Sequence, residues 1–214
     1  MDAMPVNAVP DDHTIRDEAT LEAIYGEASP GAIAKEVDHV HPHYAAMIAA
    51  SPFMVLATSG PGGLDASPRG DPAGFVHVED PGTLLIPDRR GNNRADSLRN
   101  IIHDPRVALL FLIPGVGETL RVNGRATISV APDLLARFEF RGTLPRSVIV
   151  VMVESVYFQC PKALVRSDLW NPEKHVSRKS LPSTGTIIGD ISAGRLGGEQ
   201  YDREYPERLR RTLY

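Results

Sequence analysis

From Phe53 to Glu154 the chain repeats one pattern: a short apolar, β-prone run followed by a cluster of turn formers. Phe53–Thr58 leads into Gly60-Pro61-Gly62-Gly63, and Leu64–Ser67 starts again in extended form. Gly74–Val78 and Thr83–Pro87 flank the turn Glu79-Asp80-Pro81-Gly82. Val107–Ile113 is continuously apolar, as a buried strand is, while Thr119–Val130 and Ser147–Tyr157 are long and β-prone. Short helices are expected only at Asp96–Ile102 and Leu134–Phe140. About six strands with few long helices between them argue against a Rossmann-type sheet and for a barrel, mainly β with flanking helices.

The flanks read differently. Leu21, Ile24 and Tyr25 fall at i, i+3, i+4, and Ser29-Pro30 offers an N-cap with proline at the first helical position. Ile33, Val37, Val40, Tyr44, Met47 and Ile48 then recur with helical period, with Pro42 placed to kink or divide that helix. Beyond Phe158 the chain is irregular and polar. Ser180–Gly198 is rich in glycine, serine and threonine and reads as a loop or mobile lid; a terminal helix is expected near Tyr205–Leu213. The expected organisation is a helical extension over 1–52, a barrel domain over 53–170, and a C-terminal loop and helix over 171–214.

Composition limits the function. The chain has 214 residues, 42% of them hydrophobic, enough to bury a core in one domain with additions. No apolar run reaches the roughly 18 residues of a membrane span. A formal charge of −4 argues against a general nucleic-acid-coating role, though not against a local site for one small anion. Cys160 is the single cysteine, so no internal disulfide can form, and Met1–Asp12 lacks the basic start and apolar centre of a secretory leader. A cytoplasmic location is expected.

The strongest chemical signal is Ile86-Pro87-Asp88-Arg89-Arg90-Gly91-Asn92-Asn93-Arg94. A strand ends in a loop bearing three arginines, two side-chain amides and a glycine, and a helix follows. Guanidinium groups meet phosphate oxygens with paired hydrogen bonds, and a helix N-terminus favours an anion. Asn93 is alternatively a cap for that helix, and the whole loop is alternatively a solvated basic turn. Arg69, in Ser67-Pro68-Arg69-Gly70-Asp71, adds a further cation at a strand end. In an extended strand Arg121, Asn123 and Arg125 share one face and Val122 and Ala126 the other, which is a ligand groove or an ordinary solvent face.

Taken in order, Ser67–Asp71, the Ile86–Arg94 loop, Leu98-Arg99-Asn100, Asp104–Phe111 and Arg121-Val122-Asn123-Gly124 resemble the pyridoxamine 5'-phosphate oxidase-like family of FMN-binding split barrels. The resemblance covers about Phe53 to Arg166. Cys160–Ser167 with Leu169-Trp170 is similar to a bacterial subgroup of FMN-binding members. The resemblance implies a split β-barrel with FMN as cofactor. It implies backbone contacts to the flavin ring and ribityl chain from Ile86, Pro87 and Asp88, and phosphate contacts from Asn93, Arg94 and Arg69. Arg121 matches a residue near the flavin pyrimidine edge. The family builds each flavin site from two protomers, so a homodimer is implied, with Lys162, Arg166 and Trp170 reaching the partner's flavin or its substrate. Val76 and His77 stand where the oxidase carries a phosphate-binding lysine. The arginine-rich segment that ends the classical oxidases has no counterpart; Arg208, Arg210 and Arg211 read as the polar face of a terminal helix.

Other features read as structural. His39, His41 and His43 form a His-x-His-x-His series, but Pro42 and the helical period argue against a metal site, and none is expected. Cys160 is expected to be a buried structural cysteine. Trp170 either stacks on a flavin or pins the C-terminal segment to the barrel. Two functions follow. One is an FMN-dependent oxidoreductase acting on a small molecule with an electron donor. The other is a module that holds a flavin, deazaflavin or haem without turnover, with His77 as candidate axial ligand for haem.

Overall fold

The structure is a computed structural model that describes residues 13–214, so the Met1–Asp12 segment read for a leader lies outside it. Seven strands form one sheet: β1 (Phe53–Gly60), β2 (Gly63–Gly70), β3 (His77–Asp80), β4 (Thr83–Asp88), β5 (Arg106–Leu112), β6 (Thr119–Ser129) and β7 (Ser147–Gln159). Their order is β2-β1-β5-β6-β7-β4-β3, and every neighbouring pair is antiparallel. β1 and β2 are joined at Gly60↔Gly63 by a two-residue Pro61-Gly62 loop, the hairpin that the glycine cluster predicts.

Period-2 alternation sets the inner face. In β6, Leu120, Val122 and Ala126 are buried while Arg121 and Asn123 are half-buried on the opposite face. Leu56, Leu109, Phe111, Leu84 and Ile149 join them in the core. The β6–β7 register slips once: Asn123 faces Ser155 but Gly124 faces Val153, so Glu154 is the extra residue of a bulge. At Gly124 a Cβ would collide with the Met152 carbonyl oxygen, so the close approach requires glycine.

The sheet's ends are β2 and β3, yet the sheet curls until the end of β2 meets the end of β4. There Arg69 pairs with Asp88, and Arg89 pairs with Asp71 at 2.8 Å. Charged side chains, not a ladder, close this seam among the described residues, which is the geometry of a split barrel.

Short helices cover the barrel strands: α3 (Pro42–Ala50) buries Ile48, α4 (Asp96–His103) packs on β1, β2 and β6 and buries Ile101, and α5 (Pro132–Ala136) meets β7. α7 (Thr184–Ile191) packs against α8 (Gly198–Arg211) as a helical hairpin. α1 (Glu18–Tyr25), α2 (Pro30–Ala34) and α6 (Lys162–Ser167) are the other α-helices among the described residues. Two compact units part between Lys35 and Glu36; the first holds α1, capped by Asp17, and α2, capped by Ser29 as Ser29-Pro30 predicts. No helix among the described residues is long and apolar enough to cross a membrane.

Several expectations are corrected. The helix read through Val37 and Val40 stops at Ala34. Val37 instead bridges to Val156 of β7, past the point where the β4 ladder ends at Met152, and Val40 donates its N–H to Pro81. Pro42 starts a new helix, with the His41 ring accepting from the His43 N–H at 3.2 Å. Ser180–Gly198 is not loop throughout, because Thr184–Ile191 within it forms α7. The strand read at Gly74–Val78 begins only at His77, and the helix read at Leu134–Phe140 is α5, shifted to Pro132–Ala136. The terminal helix starts at Gly198 and carries Pro206 inside it. Cys160 is exposed rather than buried.

Candidate functional site

The seam holds a cavity. Leu84, Leu85 and Ile86 are buried in succession and anchor β4 on both faces, so its end delivers Pro87 and Asp88 to a fixed place. Opposite, β2 delivers Arg69. Its Nη1 pairs with Asp88, and the two side chains are only 18% and 13% exposed. Its Nε is buried and has no hydrogen-bond partner among the described residues. Leaving such a donor unmade costs about 1–3 kcal/mol, so it marks a place where an acceptor belongs.

One residue past the end of β4, Arg89 donates from Nε to Asp71 and from Nη1 to the Phe138 carbonyl at 2.7 Å. The Tyr214 hydroxyl donates to the second Asp71 oxygen at 2.9 Å. That hydrogen bond, with burial, raises the Tyr214 phenol above its ordinary value. Arg89 is thereby fixed as a structural clamp between Asp71 and the Phe140 and Tyr214 rings.

The following loop takes a special path. Asn93 and Ala95 sit at φ 63° and 55°, a left-handed conformation that asparagine tolerates and alanine adopts at a cost of roughly 1 kcal/mol or more. Asn93 does not cap the helix, contrary to one reading of the sequence. Ala95 is the N-cap of α4 and supplies no side-chain cap, and the first-turn residues Asp96, Ser97 and Leu98 line the cavity. Asn93 Oδ1 instead accepts from Arg146 Nη1 at 2.7 Å.

Between these parts lies a cavity of about 590 Å³, within the roughly 300–1,000 Å³ of small-molecule sites. Phe75, Pro68 and Pro87 give it apolar wall, and five arginines reach it: Arg69, Arg89, Arg90, Arg94 and Arg146. Arg69 and Arg89 are paired as above. Arg94 Nε meets Asp96 at 2.7 Å, and this contact raises the Arg94 guanidinium further above its ordinary value. Asp65, the remaining acid in the lining, accepts from the Ser97 hydroxyl at 2.6 Å. Among the described residues no carboxylate pairs with Arg90 or Arg146, so the lining holds more arginines than aspartates.

Of the residues singled out in the sequence, Arg69, Pro87, Asp88, Asn93 and Arg94 line this cavity. Ile86 is fully buried behind its wall. Arg121, Lys162, Arg166 and Trp170 do not line it. Arg121 donates from Nη1 to the Tyr157 hydroxyl at 2.7 Å, on the outward face of β6 and β7 beside the Asn123–Ser155 hydrogen bond. Lys162 and Arg166 are exposed on α6. Trp170 Nε1 donates to the Val116 carbonyl at 2.8 Å, which pins its segment to the β5–β6 turn. Val76 is core, and His77 is half-exposed, 3.5 Å from Glu79 and outside the cavity. Among the described residues no group of three or more His, Cys, Asp or Glu side chains forms a metal site.

The sequence reading missed Arg146. Its only signal is its place just before β7, where the register sets Ser147 opposite Asp88.

No curated protein matches the sequence. Several bacterial proteins of known structure align with this fold. HupZ of Group A Streptococcus aligns with a TM-score of 0.48 at 15% identity, over 56% of this chain and 99% of its own. A protein related to general stress protein 26 from Clostridium acetobutylicum aligns at 0.41 and 9%, over 54% and 84%. An FMN-binding protein from Syntrophomonas wolfei aligns at 0.41 and 12%, over 52% and 80%. The pyridoxamine 5'-phosphate oxidase family profile matches residues 40–160, a span that takes in all seven strands, the Arg69–Asp88 seam and the Ile86–Arg94 loop. Over that span, more than half of its length, the chain belongs to the pyridoxamine 5'-phosphate oxidase family.

Proposed function

We propose that this protein is a cytoplasmic, homodimeric FMN-binding flavoprotein that serves as an oxidoreductase for a small molecule. The observation that carries the reading is the buried, unpartnered Arg69 Nε in a cavity with excess positive charge. A phosphate monoester supplies the missing acceptor and balances the charge. The residues fit the group. Arg69, Arg94 and the first-turn N–H groups of α4 would hold the phosphate. Ile86, Pro87 and Asp88 would run along the ribityl chain and ring edge through their backbone. Arg121, Lys162, Arg166 and Trp170 lie outside their own protomer's cavity, and in a dimer they would serve the partner's site.

Bound FMN supplies the hydride or electron transfer. The chain's own residues bind and orient. The seam pairs Arg69–Asp88 and Arg89–Asp71 hold the cavity walls at a fixed separation. Arg121, steadied by Tyr157, would place a fixed positive charge near the flavin pyrimidine edge, where negative charge gathers on reduction. The haem alternative gains no support from His77, which is exposed and engaged with Glu79.

Purified protein titrated with FMN is expected to quench flavin fluorescence and shift the visible flavin absorption. Protein that stays colourless and leaves the FMN spectrum unchanged refutes the reading. Anaerobic addition of NADH or NADPH then separates an enzyme, whose flavin bleaches and passes electrons to an acceptor, from a carrier whose flavin no donor reduces.

A further inference from the structure

We infer that Arg146 is a phosphate-binding residue of this site and that Asn93, rather than touching the phosphate itself, is the residue that positions it. This rests on the FMN reading above.

Arg146 is held at two points. Its N–H donates to the Asp88 carbonyl at 3.1 Å, which ties its backbone to the end of β4. Its Nη1 donates to Asn93 Oδ1 at 2.7 Å, which aims the guanidinium at the loop that borders the cavity. The left-handed conformation of Asn93 belongs to this arrangement, because it turns the loop at the residue that receives Arg146.

Charge decides which arginine matters most. Arg69, Arg89 and Arg94 each face a carboxylate within hydrogen-bond reach. An arriving phosphate shares those cations with Asp88, Asp71 and Asp96, and net attraction falls accordingly. Arg94, Arg90 and Arg146 are all exposed, so solvent screens each of them; what separates Arg146 is its fixed hydrogen bond to the neutral Asn93. Arg146 has a neutral partner, so its full positive charge remains for the ligand, and of its donors only Nη1 is engaged. A guanidinium with free donors and one fixed contact is suited to a paired hydrogen bond with two phosphate oxygens.

The test compares FMN with riboflavin, which has the same ring and no phosphate. Full-length protein is titrated with each by fluorescence quenching. Wild type is expected to prefer FMN. Arg146→Ala is expected to lose about 10- to 100-fold in FMN affinity while riboflavin binding stays within about twofold. Arg146→Lys recovers part of the loss. Asn93→Gly, which keeps the left-handed backbone, shifts FMN affinity in the same direction by less. Arg203→Ala, on the exposed face of α8, is the control and changes neither. Equal loss for both flavins in Arg146→Ala would show a structural role and overturn the inference. So would unchanged FMN affinity. Wild type that binds neither flavin overturns the FMN reading together with it, and wild type that binds FMN no more tightly than Arg146→Ala does overturns the inference alone.

Discussion

Replacing Arg69 with methionine removes the guanidinium that joins the end of β2 to Asp88 and keeps much of the side-chain volume. Asp88 is then left 13% exposed without its cation. Breaking a fully buried ion pair by removing one partner costs about 3–5 kcal/mol. Both side chains here still reach water, so screening lowers the expected loss to about 2–4 kcal/mol. For a domain of this size that is a fall in Tm of about 4–16 °C. Urea denaturation gives the energy and its slope shows whether the native state has loosened. Arg69→Met with Asp88→Leu removes both charges and is expected to recover more than half of the loss, because no buried charge is left alone. FMN affinity is not expected to recover in the double variant, because the phosphate partner stays absent. An Arg69→Met protein as stable as wild type, with a coupling energy to Asp88 below about 0.5 kcal/mol, would refute the claim that this pair closes the barrel.

Two further outcomes follow from packing and charge. Gly124→Ala forces a Cβ against the backbone of Met152 and is expected to cost about 1–3 kcal/mol or more, read by denaturant unfolding; Ser155→Ala, on the same bulge but outside the clash, should cost far less. Asp202 accepts from the Ser183 hydroxyl and the Gly185 N–H, which hold its carboxyl below the ordinary value of 3.8. The stability this gives the α7–α8 hairpin is fully present above pH 3.8 and is lost as pH falls through the lowered value; hydrogen exchange of the α7 amides should show that loss in wild type and not in Asp202→Asn.

How much was legible beforehand depended on whether the signal was local. The strands were, since apolar runs such as Val107–Ile113 and the alternation around Val122 follow directly from which face meets the core. The Gly60–Gly63 hairpin and the Asp96 helix start were local too. α7 was hidden because its glycines read as loop formers. In the fold Gly185 is there for a different reason: a Cβ would strike the Gly198 carbonyl, so glycine lets α7 and α8 approach. Val37 and Val40 fitted a helical period by spacing alone, yet the edge of β7 beyond Met152 offered Val37 a partner no period could announce. The site divided in the same way. The Ile86–Arg94 loop was readable as an anion cradle. That Arg69, Arg89 and Arg94 each meet an aspartate, and that Arg146 does not, depends on partners brought together by the barrel.

The two strands at the ends of the sheet also constrain how copies of this protein meet. A rolled sheet that does not close leaves two rows of unpaired backbone groups, the usual template for aggregation or strand exchange. β2 carries Asp65 and Arg69, and Pro68 lacks an N–H to offer. β3 is four residues long and bears His77, Glu79 and Asp80. Both edges are thus poor receivers of a foreign strand. A protein built this way keeps the seam between β2 and β4 open without offering a foreign strand an easy edge, which favours sheet faces or helices over strand edges for contact between copies.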